Sequence, residues 1–567
     1  MFSESPYLIE GTIKNGRNEL NKCYMRKTAL ILGILLCVFF FQFSVAQTVK
    51  KKPKVIIGMM VDQMRWDYLY KYSDRYKDGG FKRLLKEGFT CENTQINYAP
   101  TITACGHASV YTGSVPAING IAGNSWPIID QGIDMNCVGD ESVLPVGSNS
   151  SRGKASPRNL LTTTIGDELK IATNFRSKVV GVSIKDRAAI LPAGHAADGA
   201  FWFDSSSGNF ISSTWYMQKL PAWVQEFNNK KLPTTLIQNN WNTLYPIETY
   251  RQSTPDDQEY ENKLGNEERP VFPHLLIDEK SKENVSISNT PFGNTLVLEF
   301  AKAVLEGYKM GKGEETDLLA ISLSSTDAVG HRFGPNSIEI EDTYLRLDNE
   351  LAGFFKYLDE RFGKDGYLFF ITADHAVSHS PGFLIENKLP GGGVDGEAII
   401  KTINQTVKNE FGIENVILTS ANSQLYLNHN EISKNKVSQE EIEVRIIELM
   451  KKVEGIADAI PSRKLGSAVL SEPIKSMLIN GHHAKRSGDI VLLLESGWKT
   501  GSLSGASHSA WNPYDAHIPL VWMGWGVTSG KTNRTINITD IAPTLAALLN
   551  IQMPSGNIGH VISEITN

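Results

Sequence analysis

Three aspartates and three histidines in this chain have types and spacings that suit a pair of divalent cations. Asp327-Ala-Val-Gly-His331 sets a carboxylate and an imidazole one helical turn apart, where both can reach one ion. Asp374-His375 adds an adjacent pair, Gly505-Ala-Ser-His508 a histidine in a Gly/Ser-rich loop, and Asp62 a further carboxylate. Mixed nitrogen and oxygen donors suit Zn²⁺, and six protein ligands exceed what one tetrahedral zinc takes. Two zinc ions of about four ligands each account for the set, with the remaining positions left to a nucleophile, water or substrate. Paired metals about 4 Å apart are a common device for phosphoryl transfer. Each piece alone is bland, since an aspartate at a strand end is more often a helix cap or turn former. The weight lies in their occurring together.

The elements that must position them are apolar runs of strand length. Val55–Val61 stops at Asp62, Val179–Ile184 at Lys185, Leu318–Leu323 shortly before Asp327, and Tyr367–Ala373 at Asp374-His375. Ile490–Leu494 and Ile518–Met523 are further runs. Continuous runs of this kind read as buried parallel strands. Helix-period segments lie between them, such as Ile340–Leu358 with Tyr344, Leu347, Leu351, Phe354, Phe355 and Leu358 on one face. The alternation predicts an α/β fold around a mainly parallel sheet. Ligands of such sheets bind beyond the carboxyl ends of the strands, so Asp62, Lys185, Asp327 and Asp374 are expected along one edge. Residues 200–290, rich in Trp, Asn, Pro and Thr, read as an inserted cap, and 390–480 as a second insertion.

Within residues 98–113, Thr101 and Thr103 stand one residue apart and are followed by His107. A threonine hydroxyl is far too basic to act unaided at neutral pH, and His107 is the obvious base.

The ordered set Val61-Asp62-Gln-Met-Arg65, Pro100-Thr-Ile-Thr103-Ala-Cys-Gly-His107, Asp327-Ala-Val-Gly-His331, Thr372-Ala-Asp374-His375 and Gly505-Ala-Ser-His508 resembles the alkaline phosphatase superfamily. It is nearest to the nucleotide pyrophosphatase/phosphodiesterase-like branch. Val182-Ser-Ile-Lys185-Asp-Arg187-Ala-Ala-Ile-Leu-Pro-Ala-Gly-His195 and Gly120-Ile-Ala-Gly-Asn124 resemble the flavobacterial PafA-type, threonine-nucleophile alkaline phosphatases, and the likeness covers essentially the whole mature chain. The resemblance implies a three-layer α/β/α sandwich with inserted cap segments. It implies one zinc on Asp327, His331 and His508, and another on Asp62, Asp374 and His375 with Thr103 as its fourth ligand. It makes Thr103 the nucleophile, acting through a phosphothreonine, and gives Asn124, Lys185 and Arg187 contacts to the transferred phosphoryl oxygens.

The chemistry of the residues agrees with these roles. Zinc lowers the pKa of a bound hydroxyl, so no protein base is needed and His107 reads as a buried orienting residue. Residues after Thr103 read as a helix whose N-terminus adds positive potential at the phosphate. Lys185 and Arg187, two apart beyond a strand, are expected on one side. Two cations suit the extra anionic oxygen of a monoester, which favours phosphate monoester hydrolysis over the alternative, a nucleotide phosphodiesterase. The Cys-x-Pro-x-Arg motif of sulfatases is absent, and a decayed, merely metal-binding site would lack ligands that are all present. His379 and His517 are candidates for holding ligands from behind.

A formal charge of −6 on 567 residues gives no basic footprint for nucleic acid. Met25-Arg-Lys27, the apolar run Ala29–Phe43 and Ser44-Val-Ala46 read as a signal peptide with Met25 as the start, so 1–46 is an upstream extension plus signal. Residues 47–54 then form a linker and 55–567 the catalytic domain. The expectation is a periplasmic or secreted monomer acting on small phosphate esters, with no stable membrane association. Cys91, Cys105 and Cys137 remain after cleavage and allow at most one bridge.

Overall fold

The computed structural model describes residues 20, 22–33, 51–277 and 285–566. The chain up to Lys52 forms a unit of its own, whose described part is an exposed helical stretch and, at 51–52, exposed irregular chain. The cleavage site at residues 44–46 and most of the apolar run before it lie outside the described residues. No described helix is long and apolar enough to cross a membrane.

Residues Pro53–Asn567 form the second unit. Its central sheet contains β1 (Val55–Val61), β2 (Phe89–Gln95), β3 (Val179–Ser183), β4 (Gly199–Asp204), β5 (Asp317–Leu323), β6 (Tyr367–Thr372) and β7 (Leu520–Gly524), in the spatial order β2-β7-β6-β1-β5-β3-β4. The run β6-β1-β5-β3-β4 is parallel, and β7 joins β6 and β2 antiparallel. Asn209–Ser213 extends the sheet beyond β4, so the segment from residue 200 begins inside the sheet.

Every residue of β1, β5 and β6 is buried, which is why these strands read as unbroken apolar runs rather than alternating ones. Adjacent residues of β6 face opposite layers. Phe369 packs edge-on against Phe355 of the helix Ile338–Phe362 with ring centroids 5.0 Å apart, and Phe370 lies 6.2 Å from Tyr111 of the helix Thr103–Thr112. Helices therefore cover both faces, giving three layers. Gly58 permits the close approach on the Tyr111 side, since a Cβ there would sit 2.5 Å from the Tyr111 hydroxyl.

Strand register brings the site together. Met60 faces Thr372 on one side and Ser322 on the other, and Ser322 faces Ser183. The parallel strands thus end in line. Asp62 follows β1 directly, Lys185 and Asp374 come two residues past β3 and β6, and Asp327 lies in the first turn of the helix Ser325–Phe333 after β5.

Ile490–Leu494 is not part of this sheet. It pairs antiparallel with Gln424–Leu427 and Ile456–Pro461 in a separate four-stranded sheet that also holds Ile417–Ala421. With the helices Gly396–Phe411 and Gln439–Met450 it encloses an apolar core of its own, a satellite lobe. A short apolar run reports burial and not which sheet buries it.

Candidate metal centre

Beyond the aligned strand ends, Asp62, Asp327, His331, Asp374, His375 and His508 converge. His331 Nε2 is 3.1 Å and His508 Nε2 3.8 Å from Asp327 Oδ1, and the two nitrogens are 3.2 Å apart. His375 Nε2 lies 3.5 Å from Asp62 Oδ1, 3.6 Å from Asp374 Oδ2 and 3.5 Å from Thr103 Oγ1. Donor atoms of Asp327, His331 and His508 form one group within 4.8 Å, and those of Asp62, Asp327 and His375 another. Asp327 thus borders both groups. The His375 and His508 rings stack at 3.5 Å.

Each of these histidines is tied by its Nδ1 to a main-chain carbonyl: His331 to Ala506 at 2.8 Å, His375 to Ala376 at 2.9 Å and His508 to Thr101 at 2.7 Å. A carbonyl only accepts, so Nδ1 carries the proton and Nε2 of the neutral ring presents a lone pair. Three lone pairs and three carboxylates then face one small volume. Buried Asp62 Oδ1 and Asp374 Oδ2 have no hydrogen-bond partner. Such an array is repulsive by itself and fits cations.

The charge balance says the same. Lys185 Nζ donates to Asp62 Oδ2 at 2.8 Å and to Asp327 Oδ2 at 2.6 Å, one positive charge against three carboxylates. Burial, and then the charge of Asp374, push the Asp62 carboxyl well above the usual range. Burial opposes ionisation of Asp327 too, but His331 and Lys185 hold it well below. Burial drives His375 down, and burial with the neighbouring His375 drives His508 well down, which keeps both rings neutral. His331 moves the other way, since Asp327 outweighs burial.

Thr103 is the first residue of the helix Thr103–Thr112, entered from an extended Ile102 and closed by Gly113 at φ 62°. Gly106 lets this helix press on the metal-side strand end, as a Cβ there would lie 2.3 Å from the Asp374 carbonyl. His107 is fully buried, with Nδ1 2.8 Å from the Thr103 carbonyl and 3.3 Å from Asp374 Oδ2, and Nε2 2.8 Å from Ser322 Oγ. It braces helix, carboxylate and β5 together.

Asn124 Oδ1 accepts from the Ala104 amide at 3.0 Å, capping the helix beside Thr103 and leaving its NH₂ to donate elsewhere. Lys185 and Arg187 do not continue an extended strand, as the spacing suggested. The chain turns into the helix Asp186–Ala193, with Lys185 at its N-cap and Arg187 in its first turn. The Arg187 guanidinium pairs with Asp186 at 3.6 Å, and its buried Nε has no partner.

His379 and His517 do not back the ligands. His379 bonds to Asn336 at 2.9 Å and stacks on Phe383, while His517 stacks on Trp66 and lies 2.9 Å from the Glu92 carbonyl. The supporting residue that sequence reasoning missed is Gln63. Its backbone N–H donates to Asp374 Oδ1 and its side-chain amide to Asp327 Oδ1. The Thr101 carbonyl orients His508.

Comparison with known proteins follows the same lines. Residues 56–515 match the family described as type I phosphodiesterase / nucleotide pyrophosphatase. The chain is 51% identical over 527 residues to the alkaline phosphatase PhoV of Synechococcus elongatus, covering 92% of this chain and 95% of that one. It is 49% identical over 546 residues to a Myroides odoratus protein named a calcium-transporting ATPase, covering 95% and 99%. Identity to the alkaline phosphatase PafA of Elizabethkingia meningoseptica is 48% over 518 residues, covering 91% and 94%. A crystal structure of PafA superposes with a TM-score of 0.88 at 47% identity, covering 91% of this chain and 99% of that one. The chain therefore belongs to the type I phosphodiesterase / nucleotide pyrophosphatase family, within its PafA-like alkaline phosphatases.

Proposed function

We propose that this protein is an alkaline phosphatase that hydrolyses small phosphate monoesters through a phosphothreonine at Thr103, with two zinc ions held by Asp62, Asp327, His331, Asp374, His375 and His508. The observation that carries the reading is the convergence of three Nδ1-tied imidazoles and three buried carboxylates beside the Thr103 hydroxyl. Zinc bound there supplies Lewis acidity, lowering the pKa of a hydroxyl or water and stabilising the leaving oxygen.

The chain's own residues do the rest. Thr103 Oγ1 attacks phosphorus and the ester oxygen departs on the opposite side; water then attacks the phosphothreonine and restores the hydroxyl. The NH₂ of Asn124, the ammonium of Lys185 and the guanidinium of Arg187 donate to the equatorial phosphoryl oxygens. Lys185 also holds Asp62 and Asp327 at a fixed separation. The N-terminus of the helix Thr103–Thr112 adds positive potential where phosphoryl charge collects. The sequence features at the N-terminus support export to the periplasm or beyond, and the enzyme acts as a monomer.

Thr103→Ala tests the reading. Turnover of 4-nitrophenyl phosphate is expected to fall by about 10⁴-fold or more while two zinc ions per chain remain bound. A variant that keeps its rate, or a wild-type protein that prefers the methyl diester of the same phenol, refutes it.

A further inference from the structure

His508 reaches the centre from irregular chain, residues 501–512, between the strand Trp498–Thr500 and the helix Pro513–Ala516. The other proposed zinc ligands come from strand ends or a helix. The first half of this loop is docked on the helix Ser325–Phe333. The Ala506 amide donates to the His331 carbonyl at 3.1 Å, and the Ala506 carbonyl accepts from His331 Nδ1 at 2.8 Å. Gly505 allows this approach, since a Cβ there would lie 2.4 Å from the His331 carbonyl.

The second half is strained. Ser509, the residue after His508, has φ 109°, whereas the other described non-glycine residues with positive φ lie between 47° and 67°. A serine leaves such a conformation unless its surroundings over-determine it. Two side chains do so from opposite directions. Thr101 Oγ1 accepts from the Ser509 amide at 3.2 Å and donates to the Ala510 carbonyl at 2.9 Å. Asp515 Oδ2 accepts from the Ala510 amide at 2.9 Å, and the amides of Ser509 and Ser378 also favour its charged form. The peptide groups before and after Ser509 are thus both gripped. Asp515 is itself buried, and its carbonyl accepts from the Ala376 amide at 2.8 Å, one residue past His375.

Resting on the two-zinc reading above, we propose that Asp515 is a positioning residue for the zinc on Asp327, His331 and His508: its carboxylate, opposite the Thr101 hydroxyl, locks Ser509 in its strained conformation and so keeps His508 Nε2 aimed at the ion. Asp515 belongs to neither group of donor atoms, so it acts through the main chain rather than as a ligand. The device matters for His508 because no strand or helix sets the path of its backbone. Orientation of a ligand from behind is worth about 10- to 100-fold in metal affinity.

The test is release of zinc to a competing chelator, with His508→Ala marking the step that belongs to its half of the centre. Asp515→Ala is expected to weaken that step about 10- to 100-fold and to leave the other step unchanged. Asp515→Asn keeps an oxygen for the Ala510 amide and should stay close to wild type. In Asp515→Ala/Ser509→Gly, glycine adopts a positive φ without strain, and about tenfold of the lost affinity should return. Turnover of 4-nitrophenyl phosphate by Asp515→Ala should recover in excess zinc. Equal weakening of both steps, wild-type affinity in Asp515→Ala, or a loss that the glycine does not restore overturns the proposal. Should Asp515→Ala not fold, the double variant decides: folding with zinc retained supports the clamp, and a second failure to fold overturns it. If the wild type binds two zinc ions and the variants behave otherwise, Asp515 alone loses its role; if the wild type binds fewer than two, the two-zinc reading falls and the proposal with it.

Discussion

Gln63 donates its side-chain amide to Asp327 Oδ1 at 2.6 Å while its backbone N–H donates to Asp374 Oδ1 at 3.2 Å. One residue therefore fixes a carboxylate in each half of the centre. It does so from a left-handed backbone, φ 67°, at the point where the chain leaves β1. Gln63→Ala removes one of these bonds and leaves a buried acceptor short of a donor. Zinc affinity, measured by competition with a chelator, is expected to fall about 10- to 100-fold. Gly330→Ala should act on the same bond, because a Cβ at 330 would lie 1.9 Å from Gln63 Oε1. Unchanged chelator resistance in both variants would remove Gln63 from this role.

On the proposed reading, Arg187 is the residue that should separate monoesters from diesters. Its guanidinium has a buried Nε without a partner and only a longer pair to Asp186, so it is free to meet an anion. Arg187→Ala is expected to cut kcat/KM for a monoester dianion about 10- to 100-fold, and for a singly charged diester by less. Equal losses on the two substrates would count against the contact.

His107 is a brace and not a base. His107→Ala takes from the Ser322 hydroxyl one of its two partners, leaving Ser324 Oγ at 3.3 Å, and opens a hole between the Thr103 helix and Asp374. Thermal denaturation should show a loss of about 2–4 kcal/mol. The pH dependence of the residual kcat should keep its shape, since no titrating group on the reaction path is removed. A lost limb in that profile would reinstate His107 as the base.

A pH effect on stability comes from a different histidine. Burial opposes charging of His274, but the hydrogen bonds it donates to the Glu267 and Glu339 carboxylates outweigh it and raise its pKa to about 9. The folded pKa exceeds the unfolded value near 6.5, so this contribution is full below about pH 6.5 and is lost as pH rises through about 9. The segment carrying it bonds through the Asn262 amide to the Arg332 carbonyl, next to His331. Unfolding midpoints should fall between pH 6.5 and 9.5, and His274→Gln should flatten that slope. A parallel slope in the variant would assign the effect elsewhere.

Much of this molecule could be read from its letters. The strand ends at Asp62, Lys185 and Asp374 stood out because strands buried on both faces admit no charged residue between their ends. What escaped reading has physical causes. The helix start at Asp186 changes where Arg187 points, and a two-residue spacing does not say whether the chain is still extended. The strand at Ile490 looks like its central counterparts because burial alone shapes its composition. The double grip of Gln63 depends on a left-handed turn that glutamine does not advertise, and His379 and His517 lie close to ligands in sequence while facing other neighbours.

The three histidines of the centre are oriented by carbonyls of Thr101, Ala376 and Ala506, not by side chains. Exchanging those three residues for most others leaves the carbonyls in place. The protonation pattern of the imidazoles is thus insulated from mutational drift in the residues that set it. It is exposed instead to insertions, deletions or prolines that reroute the main chain nearby, and there a single change far from the reacting atoms could silence the enzyme.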